Sequence, residues 1–271
     1  MEYKDRFYPS YEADLNAVKE HGMYLKYVNF QDYLLCYEAV KQNPRAIQYV
    51  QKQVEALCLL AVSRNGDTLQ YIRDQTHNVV IAALKNEGLA LRHVLFQNVD
   101  YCITALMQNG YALKYVKEQT EDLCKIALKN HPAAIKYVKN QTEELCLIAV
   151  KKDGSVLKNI LHPTEKIILL AIENNPMSIQ YVNNPNKELC SIAVRQRAYA
   201  IQFIDQKYED LWLLAIEQRS SVIQFLKYYS EKLIKFALKC NPNCWRYISK
   251  EFRTQSIYDY VSSLDENNKA T

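Results

Sequence analysis

The chain has 271 residues, of which 49% are hydrophobic and 24% charged, a composition typical of a soluble globular protein. Its formal net charge of +4 is well below that of a polybasic nucleic-acid-binding protein. No apolar run is long enough for a transmembrane helix, and the charged segment from Met1 to Phe7 lacks the apolar core of a signal peptide. We therefore expect a cytoplasmic protein that is not secreted and does not bind membranes.

Alanine recurs every 22 residues along almost the whole chain, without insertion or deletion. These alanines are Ala17, Ala39, Ala61, Ala83, Ala105, Ala127, Ala149, Ala171, Ala193, Ala215 and Ala237. A fixed period of about 20 to 50 residues indicates a small unit stacked on copies of itself. We predict an all-α solenoid of about eleven helix–turn–helix repeats over residues 1–250. A capping helix over 251–264 and a disordered tail over 265–271 are expected to follow.

The first helix of the repeat is best defined in residues 120–141. Thr120 is an expected N-cap, and the slot is filled by Thr76, Thr142, Thr164 and Ser230 in other copies. Acidic residues follow in the first turn, where the helix dipole favours them. Leu123, Cys124, Ala127 and Leu128 then form one apolar stripe. We expect the alanine to lie where two helices approach too closely for a larger side chain.

The second helix begins five residues after each alanine, at a slot rich in glycine and proline. It holds Gly22, Pro44, Gly66, Gly88, Gly110, Pro132, Gly154, Pro176 and Pro242. Proline does not adopt a left-handed C-cap, whereas both residues suit the first turn of a helix. The preceding residue is a good N-cap at Asn43, Asn65, Asn109, Asp153, Asn175 and Asn241. We predict a helix of about eight residues that carries Ile135, Tyr137 and Val138 inward.

Six of the eight cysteines share one position, three residues before the alanine. They are Cys36, Cys58, Cys102, Cys124, Cys146 and Cys190. Equivalent residues of stacked helices lie about 9–10 Å apart, whereas a disulfide needs Cα atoms within about 7 Å. The cysteines are therefore predicted to be free, buried and in a reducing compartment.

The consensus resembles a known repeat family. Residues 136–154 read Lys-Tyr-Val-Lys-Asn-Gln-Thr-Glu-Glu-Leu-Cys-Leu-Ile-Ala-Val-Lys-Lys-Asp-Gly, which is similar to a helical repeat of unknown function that is frequent in giant DNA viruses of the mimivirus type. The resemblance covers nearly the whole chain, with weaker turns at Arg197-Ala198 and Arg219-Ser220. It implies a helical solenoid and a viral origin, and it supplies no catalytic residue.

The sequence carries no recognisable catalytic motif. It has no phosphate-binding loop, dinucleotide fingerprint, metalloprotease motif or nucleophile elbow. His93 replaces the tyrosine of other repeats, so we interpret it as a satisfied core residue. Cys240 and Cys244 lack the second ligand pair of a zinc site. We therefore expect no enzyme, metal, cofactor or small-molecule substrate.

One polar row remains, nine residues after each alanine. It consists of Lys26, Gln48, Gln70, Arg92, Lys114, Lys136, Lys158, Gln180, Gln202, Gln224 and Arg246, and we call it the Lys/Gln/Arg ladder. A parallel row of Gln31, Gln53, Gln75, Gln97, Gln119 and Gln141 precedes the next helix. Such donors suit an acidic peptide or a nucleic-acid backbone. Duplication of an inert solvated face would leave the same pattern.

Three functional interpretations are considered for the chain. We expect a non-enzymatic scaffold for protein–protein interaction, with another protein or an acidic peptide as partner. The alternative is RNA or DNA backbone binding through the ladder, although the tyrosines are assigned to the core and the slot varies little. Amphipathic helices lying on a lipid surface are disfavoured by the two apolar faces in each period.

Overall fold

The computed structural model describes residues 9–269, and within that range the backbone forms α-helices and 3-10 helices and no strand. Residues 1–8, which include the whole charged segment from Met1 to Phe7, lie outside the described range. Contacts between residues divide the chain into two compact units, Met1–Gln141 and Thr142–Thr271. We call them the N-terminal and the C-terminal unit.

In the N-terminal unit α-helices alternate with 3-10 helices, written η. The α-helices are α1 Pro9–Glu20, α2 Tyr33–Gln42, α3 Glu55–Arg64, α4 His77–Asn86, α5 Val99–Gln108 and α6 Glu121–Asn130. The 3-10 helices are η1 Gly22–Tyr27, η2 Pro44–Tyr49, η3 Gly66–Tyr71, η4 Gly88–His93, η5 Gly110–Tyr115 and η6 Pro132–Tyr137.

The C-terminal unit continues the alternation. Its α-helices are α7 Glu143–Lys152, α8 Glu165–Asn174, α9 Lys187–Gln196, α10 Glu209–Gln218, α11 Glu231–Cys240 and α12 Gln255–Lys269. Its 3-10 helices are η7 Gly154–Asn159, η8 Pro176–Tyr181, η9 Ala198–Phe203, η10 Ser220–Phe225, η11 Pro242–Tyr247 and η12 Lys250–Phe252.

The predicted solenoid of helical repeats is confirmed. Each repeat pairs one α-helix with one 3-10 helix, and within each unit successive helices of the same kind pack against each other. The predicted stripe of Leu123, Cys124, Ala127 and Leu128 is buried along α6. Because neither helix is long enough to be stable alone, stacking supplies the apolar burial that holds the fold.

The second helix differs from its prediction in two ways. It is a 3-10 helix of six residues, and its tyrosine is not in the core. A 3-10 helix has three residues per turn, so residues three apart share a face. Gly110, Leu113 and Val116 show this spacing, and all three are buried. The tyrosine position was wrongly assigned to the core, since Tyr137 is only half-buried and Tyr27 is exposed.

The predicted caps explain where the helices begin. The side chains of Asn43, Asn65, Asn109, Asp153, Asn175 and Asn241 each accept a backbone hydrogen bond at the start of a 3-10 helix. Thr120, Thr142, Thr164 and Ser230 cap the α-helices in the same way. Thr76 does not cap α4, and its hydroxyl donates to Glu55 Oε1 at 2.8 Å.

Glycine at the start of a 3-10 helix permits close contact with the next repeat. A Cβ placed on Gly88 would collide with the carbonyl oxygen of Ala105 in the following α-helix. Its N–H, which has no partner in the first turn of a helix, donates to Gln108 Oε1 at 2.7 Å. At such junctions the neighbouring α-helices lie close along more of their length than at Pro44 or Pro176.

Two further helices follow the last repeat. The short helix η12 is followed by α12, which extends over Gln255–Lys269. Ile257 of α12 is fully buried, as expected of a capping helix. Residues 270 and 271 lie outside the described range. Among the described helices, none is both long and apolar enough to cross a membrane.

Candidate basic face

Every residue of the Lys/Gln/Arg ladder is the fifth residue of a 3-10 helix, in η1 through η11. Nine of the eleven side chains are exposed, while Gln48 and Gln202 are half-buried. Since successive 3-10 helices pack side by side within each unit, their fifth residues form a row on each unit's surface.

Three of the four lysines of the ladder lie against aromatic rings. Lys26 Nζ is 4.4 Å from the ring centre of Tyr27, and Lys136 Nζ is 4.8 Å from that of Tyr137. Lys114 makes a similar contact of 5.6 Å with Tyr115. Such contacts are attractive because the ring face is negative. The hydrogen bond between Lys26 and Tyr27 raises the pKa of that lysine. The tyrosines are thus part of the surface beside the ladder.

Four of the five glutamines of the ladder form a local hydrogen bond. Gln48, Gln70, Gln180 and Gln202 each donate from Nε2 to the carbonyl oxygen three residues earlier, at 3.0 Å. The acceptor belongs to the same 3-10 helix. At this slot, glutamine therefore stabilises its own helix, whereas lysine leaves a charge on the surface.

Arg92 is held in an ion-paired cluster. It pairs with Asp67, whose Oδ1 also lies 2.9 Å from His93 Nε2. Burial favours a raised pKa at Asp67, but hydrogen bonds from Arg92 and His93 outweigh it and lower that pKa. His93 has polar partners as predicted, but it is half-buried beside the ladder rather than in the core. The cluster compensates the charge of Arg92.

The second glutamine row joins the repeats of the N-terminal unit. Gln119 Nε2 donates to the carbonyl oxygens of Leu113 and Tyr137, at 3.2 and 2.9 Å. Its Oε1 accepts the backbone N–H of Lys139 at 3.0 Å. Gln31, Gln53 and Gln75 repeat the full pattern, and Gln97 repeats its two inter-repeat bonds. These side chains serve the backbone, so the row is not a second binding surface.

The cysteine position belongs to the same arrangement. The thiol of Cys36 lies 3.7 Å from Gln31 Oε1, and those of Cys102 and Cys124 lie 3.9 Å from Gln97 and Gln119. All eight cysteines are free, and all except Cys240 are buried. Burial raises the pKa of Cys36 and Cys58 to about 11. The thiols are therefore protonated at neutral pH.

Four lysines concentrate positive charge on η5 and η6 and the turns that follow them. Lys114 and Lys136 are ladder residues, and Lys117 and Lys139 are exposed in the turns. Lys117 Nζ donates to the carbonyl oxygen of Leu95 at 3.3 Å, and Lys139 Nζ donates to that of Lys117 at 2.8 Å. Within the described range, none of the four forms an ion pair. We call these four lysines the basic face.

An apolar turn adjoins the basic face, and sequence analysis did not identify it. Phe96 is 87% exposed, and Leu95 and Val99 are also exposed. The three residues line a cleft of about 350 Å³ together with Lys117. The available signal was an apolar residue at a slot that is polar in most copies, since Arg73 and Lys117 occupy it in the adjacent repeats and Leu161 is the other apolar residue there.

The described residues contain no group of three or more His, Cys, Asp or Glu side chains placed to hold a metal ion. The model of a family described as a domain of unknown function, DUF4116, matches residues 164–209. That segment extends from the N-cap of α8 to the first residue of α10, so it covers two repeats. Neither a curated protein nor a solved structure matches the chain.

Proposed function

We propose that the protein is a non-enzymatic scaffold that binds another protein through the basic face and its apolar turn. One observation supports this most strongly: Lys117, one of the four lysines without ion pairs, bonds the backbone of Leu95 and lines the cleft formed by the exposed side chains of Leu95, Phe96 and Val99. A contiguous exposed apolar group rimmed by polar residues is typical of a protein interaction site. The partner expected from this chemistry is an acidic segment that carries a large apolar side chain.

Two features favour recognition by this surface. The ammonium groups of Lys114 and Lys136 rest against Tyr115 and Tyr137, so fewer conformations are lost when a partner binds. An apolar anchor seated beside Phe96 supplies desolvation energy, which exposed ion pairs alone do not. Positive charge steers an acidic partner and sets its orientation.

A second candidate function, binding of an RNA or DNA backbone, is favoured by the position of the tyrosines. Tyr111, Tyr115 and Tyr137 lie beside lysines on the surface and are half-buried rather than in the core. Proteins that bind single strands combine a cationic groove with aromatic rings on which bases stack. The mild net charge and the ladder glutamines make this the weaker proposal.

The resemblance to repeats of giant DNA viruses supports two further parts of the proposal. The protein is a viral protein that acts in the cytoplasm of the infected host cell. The absence of recognised catalytic motifs supports a binding role over an enzymatic one.

The proposed function is tested by fluorescence anisotropy with two labelled probes. One is a glutamate-rich peptide of twelve residues that carries one phenylalanine, and the other is a twelve-nucleotide oligouridylate. We expect the peptide to bind the native protein and to bind the double variant Lys114→Glu, Lys136→Glu about tenfold more weakly. Two reversed charges remove attraction and add repulsion, which together amount to about 1.4 kcal/mol.

The matched control reverses two lysines of the same unit that lie in the last turns of α1 and α4, Lys19→Glu and Lys85→Glu. It should bind the peptide like the native protein. Phe96→Ala should weaken binding, whereas Met107→Ala, which also removes an exposed apolar side chain, should not. Equal losses in both double variants would contradict the proposal. Tighter, strongly salt-dependent binding of oligouridylate would establish the second candidate instead.

A further inference from the structure

The glutamine row that joins repeats ends at the C-terminal unit. Pro163 and Pro185 occupy its next two positions after Gln141. In the N-terminal unit the five glutamines from Gln31 to Gln119 each bond two backbone groups of the following repeat. The acceptor is the carbonyl oxygen 18 residues later and the donor is the N–H 20 residues later, as in Gln53 with Tyr71 and Arg73. Proline has no side chain that can replace these bonds.

The corresponding backbone groups of the C-terminal unit are left without partners. They are the carbonyl oxygen of Tyr181 and the N–H of Asn183 for Pro163, and the carbonyl oxygen of Phe203 and the N–H of Asp205 for Pro185. Among the described residues, none of these four groups forms a hydrogen bond. All four residues are exposed, so a ligand can reach them.

Each unpaired pair of groups lies in a cleft. A cleft of about 380 Å³ is lined by Pro163, Tyr181 and Asn183, and it includes the ladder residue Lys158. The second cleft, of about 540 Å³, is lined by Pro185, Phe203 and Asp205. We call them the Pro163 cleft and the Pro185 cleft. Asn184, between them in sequence, has a φ of 49° and is the one described non-glycine residue with a positive φ.

We propose that these two clefts bind primary carboxamide groups, presented as glutamine side chains by a partner protein. The N-terminal unit already shows the bound arrangement. There, carboxamides fill the equivalent position, accepting from the backbone N–H at 3.0–3.1 Å and donating to the carbonyl oxygen at 2.9–3.1 Å. Five consecutive glutamines form these bonds, so the backbone geometry of the repeat is complementary to a carboxamide.

The paired groups select a carboxamide over a carboxylate. A carboxylate accepts from the N–H of Asp205 but has no proton to donate to the carbonyl oxygen of Phe203. A carboxamide satisfies both groups at once. The two clefts lie one repeat apart, so a partner with two suitably spaced glutamines gains from binding both. The residues of the two clefts belong to the C-terminal unit, whereas those of the basic face belong to the N-terminal unit.

The test uses N-acetyl-L-glutamine N′-methylamide as probe and the full chain, labelled with ¹⁵N. Titration should shift the backbone amide resonances of Asn183 and Asp205 in a saturable way. The corresponding glutamate compound should shift them less at equal concentration. Pro185→Gln places the protein's own carboxamide in the Pro185 cleft, so the shift at Asp205 should be lost while that at Asn183 remains.

Pro163→Gln is the reciprocal control and should reverse the outcome, with the shift lost at Asn183 and kept at Asp205. Pro185→Ala removes the proline without adding a carboxamide and should keep probe binding. The proposal is overturned if neither amide shifts, if glutamate is as effective as glutamine, or if the shift at Asp205 persists in Pro185→Gln. Should one glutamine variant fail to fold, the other and the glutamate comparison decide.

Discussion

Single side chains in this protein have roles that depend on the neighbouring repeat. The thiol of Cys124 contacts Gln119, whose carboxamide in turn bonds Tyr137 and Lys139 of the next repeat. Cysteine suits this position because it is small, apolar and a weak donor. The correspondence between the cysteine and glutamine positions is not strict. Val80 follows Gln75, and Cys190 follows Pro185, whose carbonyl oxygen lies 3.8 Å from its thiol.

The buried thiols predict a loss of stability at alkaline pH. Burial raises the pKa of Cys58 to about 11, whereas an unfolded chain has a thiol pKa near 8.5. Above about pH 8.5 the unfolded state releases a proton that the folded state retains, so the unfolding free energy falls as pH rises towards 11. Below about pH 8.5 the thiol is protonated in both states, so it adds no pH dependence to the unfolding free energy. Urea unfolding of the native protein and Cys58→Ala from pH 7 to 10 measures the difference.

The unfolding free energy of Cys58→Ala should fall less steeply with pH than that of the native protein. The difference in slope corresponds to at most one proton released on unfolding. A cavity left by the substitution lowers stability equally at every pH, so the slope is the relevant readout. Cys240→Ala removes an exposed thiol and should change the slope less. Identical slopes for the native protein and Cys58→Ala would show that the thiol ionises alike in both states.

At the scale of the helices, the start of each second helix was easier to predict from the sequence than its type. The glycine or proline slot and the preceding Asn or Asp fixed the start of the second helix, because caps act within one turn. Its 3-10 geometry was missed because apolar residues at i and i+3 suit both an α-helix and a 3-10 helix. The surface position of Tyr137 follows from that geometry, so it was missed as well.

The junction between elements explains the choice of glycine. Gly88 faces the carbonyl oxygen of Ala105, and its N–H is satisfied by Gln108. Gly22, Gly66 and Gly154 have the same kind of partner in Gln42, Asn86 and Asn174. Proline, lacking an N–H, has no such requirement. The glycine N–H and its side-chain acceptor are 20 residues apart and belong to different repeats, so the sequence of a single repeat does not reveal the bond.

We expect Gly88→Ala to destabilise the protein by about 1–3 kcal/mol, because the added methyl group collides with backbone that cannot yield without displacing α5. Helix propensity alone predicts the opposite, a gain in stability, because alanine is a better helix former than glycine. Ala198→Gly, at the equivalent slot of a junction that already accommodates a Cβ, should cost about 0.5–1 kcal/mol. Urea unfolding measures both, and an unchanged or increased stability of Gly88→Ala would refute the close contact.

At the scale of the molecule, the period of 22 residues was sufficient to predict a helical solenoid. The division of the chain into two compact units was not predicted, because the alanine spacing continues unchanged through residues 141 and 142. The ladder residues lie in the 3-10 helices, and most of them are exposed. Individual ladder residues have different partners, such as Asp67 for Arg92, and these partners come from contacts between repeats.

Lysine footprinting of the complex with the glutamate-rich peptide tests most directly whether the basic face is the binding surface. Acetylation of the protein with and without the peptide, read by mass spectrometry, reports which ammonium groups become covered. We predict slower acetylation of Lys114, Lys117, Lys136 and Lys139 in the complex and unchanged rates at Lys19 and Lys85. Equal protection at Lys19 and Lys85, or protection there alone, would contradict the assignment of the basic face as the binding surface.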